Sequence, residues 1–334
     1  MERVVSGRCK QWRWRPWVLS GLVVLLGLAG SVLGNRSAGT SPAGTPDPNL
    51  TREAHRIVLF EYYEAAAALQ AWERVVGLSR YAYDNDLLKR LLPNLRQIPA
   101  PGSAFDVNVE GMLALKPDLV VTWMRKPEMV EHLRCQGIPV VTFYPETLQD
   151  LYRDLAQLGQ VFGREVRARE VAGWMAASLA ALQERLAGIS AADRPRVAWL
   201  WGKPTTISGN RGMMPELIQM AGGRNLGEQI NGLNQEVSIE TIIGLAPQVV
   251  AIWGSAPYGV RDLLCDPKWS VTPAVQERRV FKAARGSTWS PRTVVLAWWL
   301  GHCLHPQVIS DTDWRLAADD IFRQCYGIPY EDCL

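Results

Sequence analysis

The sequence predicts an α/β protein of two lobes, each built on a mainly parallel sheet, joined by a single long α-helix. Three observations carry this expectation. Residues 109–123, VEGMLALKPDLVVTW, recur in gap-free register as residues 239–253, IETIIGLAPQVVAIW. Strands alternate with helices on both sides of a middle stretch in which no strand fits. That middle stretch contains an amphipathic run of about 23 residues, which as a helix spans about 35 Å, the diameter of a small lobe.

The repeat fixes the plan of each half. Glu110 matches Glu240, Leu115 matches Leu245, Pro117 matches Pro247, Val120 matches Val250 and Trp123 matches Trp253. Each copy opens with a glutamate and places apolar residues at helical spacing, Met112, Leu113 and Leu115 in one, Ile242, Ile243 and Leu245 in the other. A proline then stops the helix, and a Val-rich run reads as a strand buried on both faces. Two such units at long spacing indicate two similar lobes.

Taken in order, residues 1–34 form a leader and residues 35–54, rich in Gly, Ser, Thr and Pro, a flexible linker. The first lobe, 55–145, is expected to run strand 56–60, helix 61–69, strand 75–78, helix 84–92, a turn at 99–102, the first repeat, helix 126–136 closed by Gly137, and strand 139–143. The connector, 146–188, consists of helix 147–162, a break at Gly163, and the long helix 164–186 with Val171, Trp174, Met175, Leu179, Leu182 and Leu186 on one face. The second lobe, 189–334, reads as strand 196–201, a loop at 203–212, helix 214–221, the second repeat, a short helix at 272–277, strand 279–283, helix 293–304 opened by Ser290-Pro291-Arg292, and a last helix at 314–324.

Composition narrows the class. The chain has 334 residues, 48% hydrophobic and 21% charged, enough for two cores of ordinary size. Its formal charge of +3 is unevenly placed. Five of 36 Lys and Arg lie in the leader (Arg3, Arg8, Lys10, Arg13 and Arg15), against one of 33 Asp and Glu, so the remainder carries 31 against 32. That balance, with no basic patch interleaved with aromatics, argues against a nucleic-acid partner. The basic flank precedes an apolar run from Trp17 to Gly34, long for a signal peptide and just long enough for a membrane anchor. Either way the remainder is exported, to the periplasm or the outer face of the membrane. No cysteine follows the run at a lipoprotein position. Beyond Cys9 the cysteines number five, Cys135, Cys265, Cys303, Cys325 and Cys333, an odd count that leaves at least one without an intrachain bridge. A bridge among the last three is open in an exported protein.

Catalytic signatures are missing. No GxSxG elbow, P-loop, HExxH or strand-linked GxGxxG occurs. His302 and His305 stand three apart on a helix, and Ser208–Gly212, SGNRG, is a loop that could cradle an anion. Neither forms a recognisable site. Aromatics at strand ends are the stronger signal, since ligands of parallel sheets sit beyond the carboxyl ends of the strands. Trp123, Trp201 and Trp253 fall there, and Tyr62 and Tyr63 follow the first strand. Aromatic walls suit a large planar or greasy ligand. Arg125, Lys203, Arg211 and Arg292 lie near those ends and could pair with an anionic ligand.

Several segments together resemble the ABC-transporter substrate-binding proteins for iron–siderophore, haem and cobalamin uptake. They are Arg56-Ile57-Val58, Arg74-Val75-Val76-Gly77, Glu110 to Val120, Gly137-Ile138-Pro139-Val140-Val141, Ile239 to Val250, and Trp289-Ser290-Pro291-Arg292 with its helix to His305-Pro306. The resemblance covers about residues 56–306. It departs from the usual pattern at Gln248, where an aspartate is customary, and in the bulky Phe60-Glu61-Tyr62-Tyr63. It implies a monomeric, non-enzymatic receptor that carries no cofactor of its own. Such a receptor captures an iron chelate between the lobes, with Trp289 added to the binding residues, and delivers it to a permease dimer. It also implies that Glu110 and Glu240 dock onto arginines of that permease, although a glutamate in a first helical turn also serves the helix dipole. A cobalamin or haem receptor is the alternative within the family. A metal-cluster enzyme on a similar scaffold is the alternative outside it, and would need cysteines at the cleft; Cys135 and Cys265 do not fall at predicted strand ends.

Overall fold

The computed structural model describes residues 53–123 and 127–333. The leader, most of the linker and Arg125 lie outside the described residues. Among the described residues, no helix is long and apolar enough to cross a membrane.

The first lobe is built from β1 (Ile57–Leu59), α1 (Tyr63–Ala68), β2 (Val75–Leu78), α2 (Asp86–Leu91), α3 (Val109–Ala114), β3 (Leu119–Trp123), α4 (Pro127–Cys135) and β4 (Val140–Phe143). Its strands pair in the order β2-β1-β3-β4, all parallel. Two helices follow, α5 (Leu148–Val161) and α6 (Glu165–Arg185). Thr147 and Asp150 cap the start of α5 reciprocally, and Gly163, at φ 58°, turns the chain between the two.

The second lobe comprises β5 (Arg196–Leu200), β6 (Thr206–Ser208), α7 (Met213–Met220), β7 (Arg224–Asn225), β8 (Asn234–Glu236), α8 (Ile239–Gly244), β9 (Val249–Ile252), α9 (Val260–Cys265), α10 (Pro273–Gln276), β10 (Val280–Lys282), α11 (Arg292–Leu304) and α12 (Asp311–Tyr326). Its parallel strands run β7-β5-β9-β10, the same order as the first lobe. An antiparallel pair, β6 and β8, extends the sheet from the carboxyl end of β5. The loop expected at 203–212 therefore contains a strand. Its three residues hold a single apolar side chain, Ile207, too short a pattern to signal itself, and the strand owes its place to a tight return from β5, with Thr206 donating to the Lys203 carbonyl.

The repeat is conformational as well as sequential. In both copies the residue after the helix takes the left-handed region, Lys116 at φ 47° and Ala246 at φ 50°. The turn aims carbonyls at an arginine on the neighbouring strand. Arg56 donates to Leu115 and Lys116 (2.7–3.2 Å), and Arg196 donates twice to Ala246 (3.0 and 2.8 Å). Two residues further on, Asp118 accepts from the amides of His55 and Arg56, while Gln248 accepts from the amide of Arg196 at 3.0 Å. A side-chain oxygen is all this joint requires, which explains why glutamine serves where aspartate is customary.

Each sheet buries both faces. Val58, Val120 and Val140 pack under Met112, Val130 and Leu133 on the outer face of the first. Ala198, Leu200, Val250 and Ile252 do the same under Ile242, Leu263 and Trp269 in the second. The inner faces share one core. Ile57, Leu59 and Val121 connect through Leu151, Leu155 and Leu158 of α5 and Val171, Met175 and Leu182 of α6 to Val197, Trp199 and Ala251. The last helix, α12, packs on α11 and α6 and also reaches back to α1 of the first lobe.

The left-handed turns give a direct test. An L-residue in that region costs about 1–2 kcal/mol, of which glycine recovers part against its own entropy. Ala246→Gly is expected to raise the stability to urea unfolding by about 0.5–1 kcal/mol, with the slope unchanged.

Candidate functional site

The crevice lies where the parallel strands of both sheets end, and its contents can be built strand by strand. β1 is followed by Phe60 and Glu61 and then by Tyr62, which is buried at the start of α1 in a left-handed conformation (φ 63°). The Tyr62 hydroxyl donates to Asp154 of α5 at 2.9 Å. Tyr63 is half-buried against the shared core. Burial, reinforced by Glu64, pushes the Glu61 carboxyl up to about 8, and burial raises Asp154 to about 7 against the Tyr62 hydrogen bond.

β3 and β4 end in Trp123 and Phe143-Tyr144. Trp123 and Tyr144 lie parallel, 6.1 Å between centroids and 4° between planes. Phe105 meets Trp123 edge-on at 5.5 Å. The fourth ring of this cluster comes from the other lobe. Trp289, in the segment between β10 and α11, contacts Trp123 at 5.4 Å, Tyr144 at 5.1 Å and Tyr62 at 5.9 Å. The second lobe has its own cluster. Trp201 and Trp253, at the ends of β5 and β9, lie 5.7 Å apart, and Trp199 packs behind Trp201 at 5.9 Å. The Trp201 indole donates to Ser208 at 3.1 Å. Beside Trp253, at the ends of β9 and β10, a cavity of about 340 Å³ opens between the 283–288 segment, Trp299 of α11 and Trp314 of α12.

The predicted cations have different fates. Arg292 is buried at 5% exposure. It makes a paired contact with Asp86 (2.7 and 2.9 Å) and a longer one with Glu64 (3.4 Å), both in the first lobe. Glu64 is further held by Ser290 at 2.7 Å and Asn85 at 2.6 Å. Arg292 thus ties the two lobes, and its side chain also lines the cavity beside Trp253. Lys203 forms an exposed pair with Glu236 at 2.8 Å. Arg211 crosses between the lobes to Glu146, just before α5.

Sequence reasoning missed Phe105, Tyr144, Glu61 and Glu146. Tyr144 was findable by the rule that picked Trp123, since it too closes a strand; Phe105 lies in a loop and gives no signal. The SGNRG segment does not cradle an anion, because the amides of Gly209, Asn210 and Arg211 already donate to the carbonyls of Leu233, Ile230 and Gly232. His302 and His305 face separate carbonyls, of Ile309 and Gly222, and the described residues hold no group of three metal-ligating side chains. Cys303 and Cys325, placed above among candidates for a bridge, are buried free thiols, each pushed up to about 12 by burial. Glu110 and Glu240 are exposed in the first turns of α3 and α8, which Asn108 and Ser238 cap.

Two lobes with matching parallel sheets and aromatic rings at the strand ends define the class as a ligand-binding receptor. The model of the periplasmic binding protein family matches residues 60–284, and the chain belongs to that family. It is a substrate-binding receptor of an ABC importer. The molybdate-binding protein MolA of Haemophilus influenzae is 27% identical over 296 residues, covering 80% of this chain and 84% of its own. A vitamin B12-binding protein of Yersinia pestis is 27% identical over 223 residues, covering 59% of this chain and 78% of its own. Among solved structures, Helicobacter pylori CeuE with Ni(II) bound superposes with a TM-score of 0.76 at 25% identity, covering 84% of this chain and 93% of that one.

The buried pairing of Arg292 yields a prediction. Removing one partner of a buried ion pair leaves a buried charge uncompensated, at a cost of about 3–5 kcal/mol. Arg292→Met is expected to lose that much stability in denaturant unfolding, whereas Lys203→Met, which breaks an exposed pair, is expected to lose less than about 1 kcal/mol.

Proposed function

We propose that this receptor is exported, works as a monomer, and captures an anionic iron chelate between its lobes for delivery to a membrane permease. One observation carries the reading: the strand ends of both lobes converge on aromatic rings, Trp123, Tyr144 and Trp289 on one side, Trp201 and Trp253 on the other, with the guanidinium of Arg211 reaching across. Rings offer broad apolar faces to a chelate's organic shell, and the arginine fork matches paired oxygens. Tyr62 and Tyr63 are assigned to the same site and Lys203 to its outer edge; Arg125, two residues beyond Trp123 in the sequence, is assigned to the same ligand. A small oxyanion is the second reading, favoured by the 27% identity to a molybdate-binding protein over 80% of the chain.

Titration of the purified protein separates these cargoes. A ferric tris-catecholate chelate is expected to quench tryptophan fluorescence, with molybdate and cobalamin as competitors. Trp123→Ala with Trp253→Ala is expected to weaken binding by about 1.5–3 kcal/mol for each ring that covers the ligand. Unchanged affinity in a folded double variant would assign the two rings to packing, and tight binding of molybdate alone would replace the chelate as cargo.

Delivery involves the outer surface. We assign Glu110 and Glu240 to permease docking, since each stands exposed at the start of an equivalent helix, beside Leu113 and Ile243 respectively. Opposed like charges cost more than a missing contact. Glu110→Arg and Glu240→Arg are expected to abolish uptake, most fully together, while affinity for cargo stays near wild type. Transport that survives both reversals would overturn the assignment.

A further inference from the structure

We propose that Glu146 is a specificity-determining residue of the crevice: its carboxylate occupies the fork of Arg211, so only a solute presenting a competing anion is captured. The inference rests on the crevice being the cargo site and adds the charge its cargo must carry.

Arg211 is held in place by its lobe and Glu146 by the start of the connector. Arg211 lies between β6 and α7, where its amide donates to the Gly232 carbonyl at 3.0 Å and the Gly209 amide donates to Leu233 at 2.7 Å. The guanidinium therefore starts from a fixed backbone. Glu146 follows Tyr144 by two residues, and its amide donates to Asp150 of the α5 capping box at 3.3 Å. The next turn is fixed from the opposite lobe, because Glu216 of α7 accepts from the Leu148 amide at 2.8 Å. Between these anchors the Arg211 Nε donates to Glu146 Oε2 at 3.0 Å and its Nη2 to Oε1, a two-point fork.

That geometry is the one an arginine offers to two oxygens of an oxyanion or of a chelate's carboxylate or catecholate edge. The pair is accessible, with the Arg211 side chain 49% exposed and that of Glu146 28%. It is also weak, since exposed ion pairs contribute little net stability. A ligand of higher charge density displaces Glu146, and a neutral solute of similar shape finds no free donor. Tyr144, beside Arg211, links this fork to the ring cluster of Trp123 and Trp289.

The test uses two probes, molybdate and a ferric tris-catecholate chelate, titrated by tryptophan fluorescence. Glu146→Gln is expected to bind the accepted probe about fivefold more tightly, equivalent to about 1 kcal/mol. Arg211→Gln is expected to bind it at least tenfold more weakly, and the double variant to match Arg211→Gln. A ligand-independent arm uses the exposed thiols Cys135 and Cys265, one in each lobe, as spin-label sites in a chain carrying Cys9→Ser. Glu146→Gln is expected to broaden the distance distribution without ligand and to narrow it when the probe binds. Affinity unchanged or weakened in Glu146→Gln, with the distances altered, would make the pair a simple lobe latch and overturn the proposal. Failure of the chelate while molybdate shows the predicted gain would remove the iron-chelate reading and leave Glu146 in its role. Failure of every protein to bind either probe would remove both.

Discussion

The arrangement of the lobes depends on one buried cation. Arg292 sits at the first turn of α11 and is met by Asp86 and Glu64, both from the first lobe. A buried ion pair is a weak source of net stability, because desolvation offsets most of the attraction. Its value is geometric. A guanidinium fork accepts its carboxylates from few directions, and Ser290 and the Ser287 amide add further bonds to the same Glu64. Trp289 lies between those two serines, so its place among the rings of the first lobe follows from the same anchor.

The apolar core works in the same direction. The inner faces of both sheets pack on the same pair of helices, α5 and α6, and no flexible linker separates the lobes. Sharing a core resists wide opening and favours a small rocking about α6. Strand ends in each half then present their rings to a space of nearly constant shape. Among the described residues the Arg211–Glu146 pair is a far more exposed polar bridge than that of Arg292 with Glu64.

Much of this was legible in the sequence. The repeat at a spacing of 130 residues located α3, β3, α8 and β9 because apolar periodicity and a helix-stopping proline are local signals. The connector helices were equally clear from their apolar faces and the break at Gly163 between them. What escaped depends on distant partners. Arg292 has the sequence signature of any helix-start cation, and its carboxylates lie 206 and 228 residues away. Arg211 meets Glu146 across 65 residues. Strands of two or three residues, β6, β7 and β8, hold too few side chains to form an alternation; β6 and β7 pair on β5, and β8 pairs in turn on β6. Cysteine pairing stayed open in the sequence for a similar reason: an odd cysteine count constrains pairing but says nothing of where the helices place the thiols.

The final helix carries one more consequence. α1, Tyr63–Ala68, ends in four consecutive alanines, and its neighbours include α12. Arg167 of α6 joins the two, donating to the Ala68 carbonyl and to those of Gln324 and Cys325. The first lobe is thus completed by residues at the other end of the chain. Contacts of such sequence separation form late, after the entropy of closing a very long loop has been lost. As the chain emerges, its first half lacks its full cover until the last turns of α12 appear. The two lobes are distinct in architecture, yet the order of the chain makes them a single unit of folding.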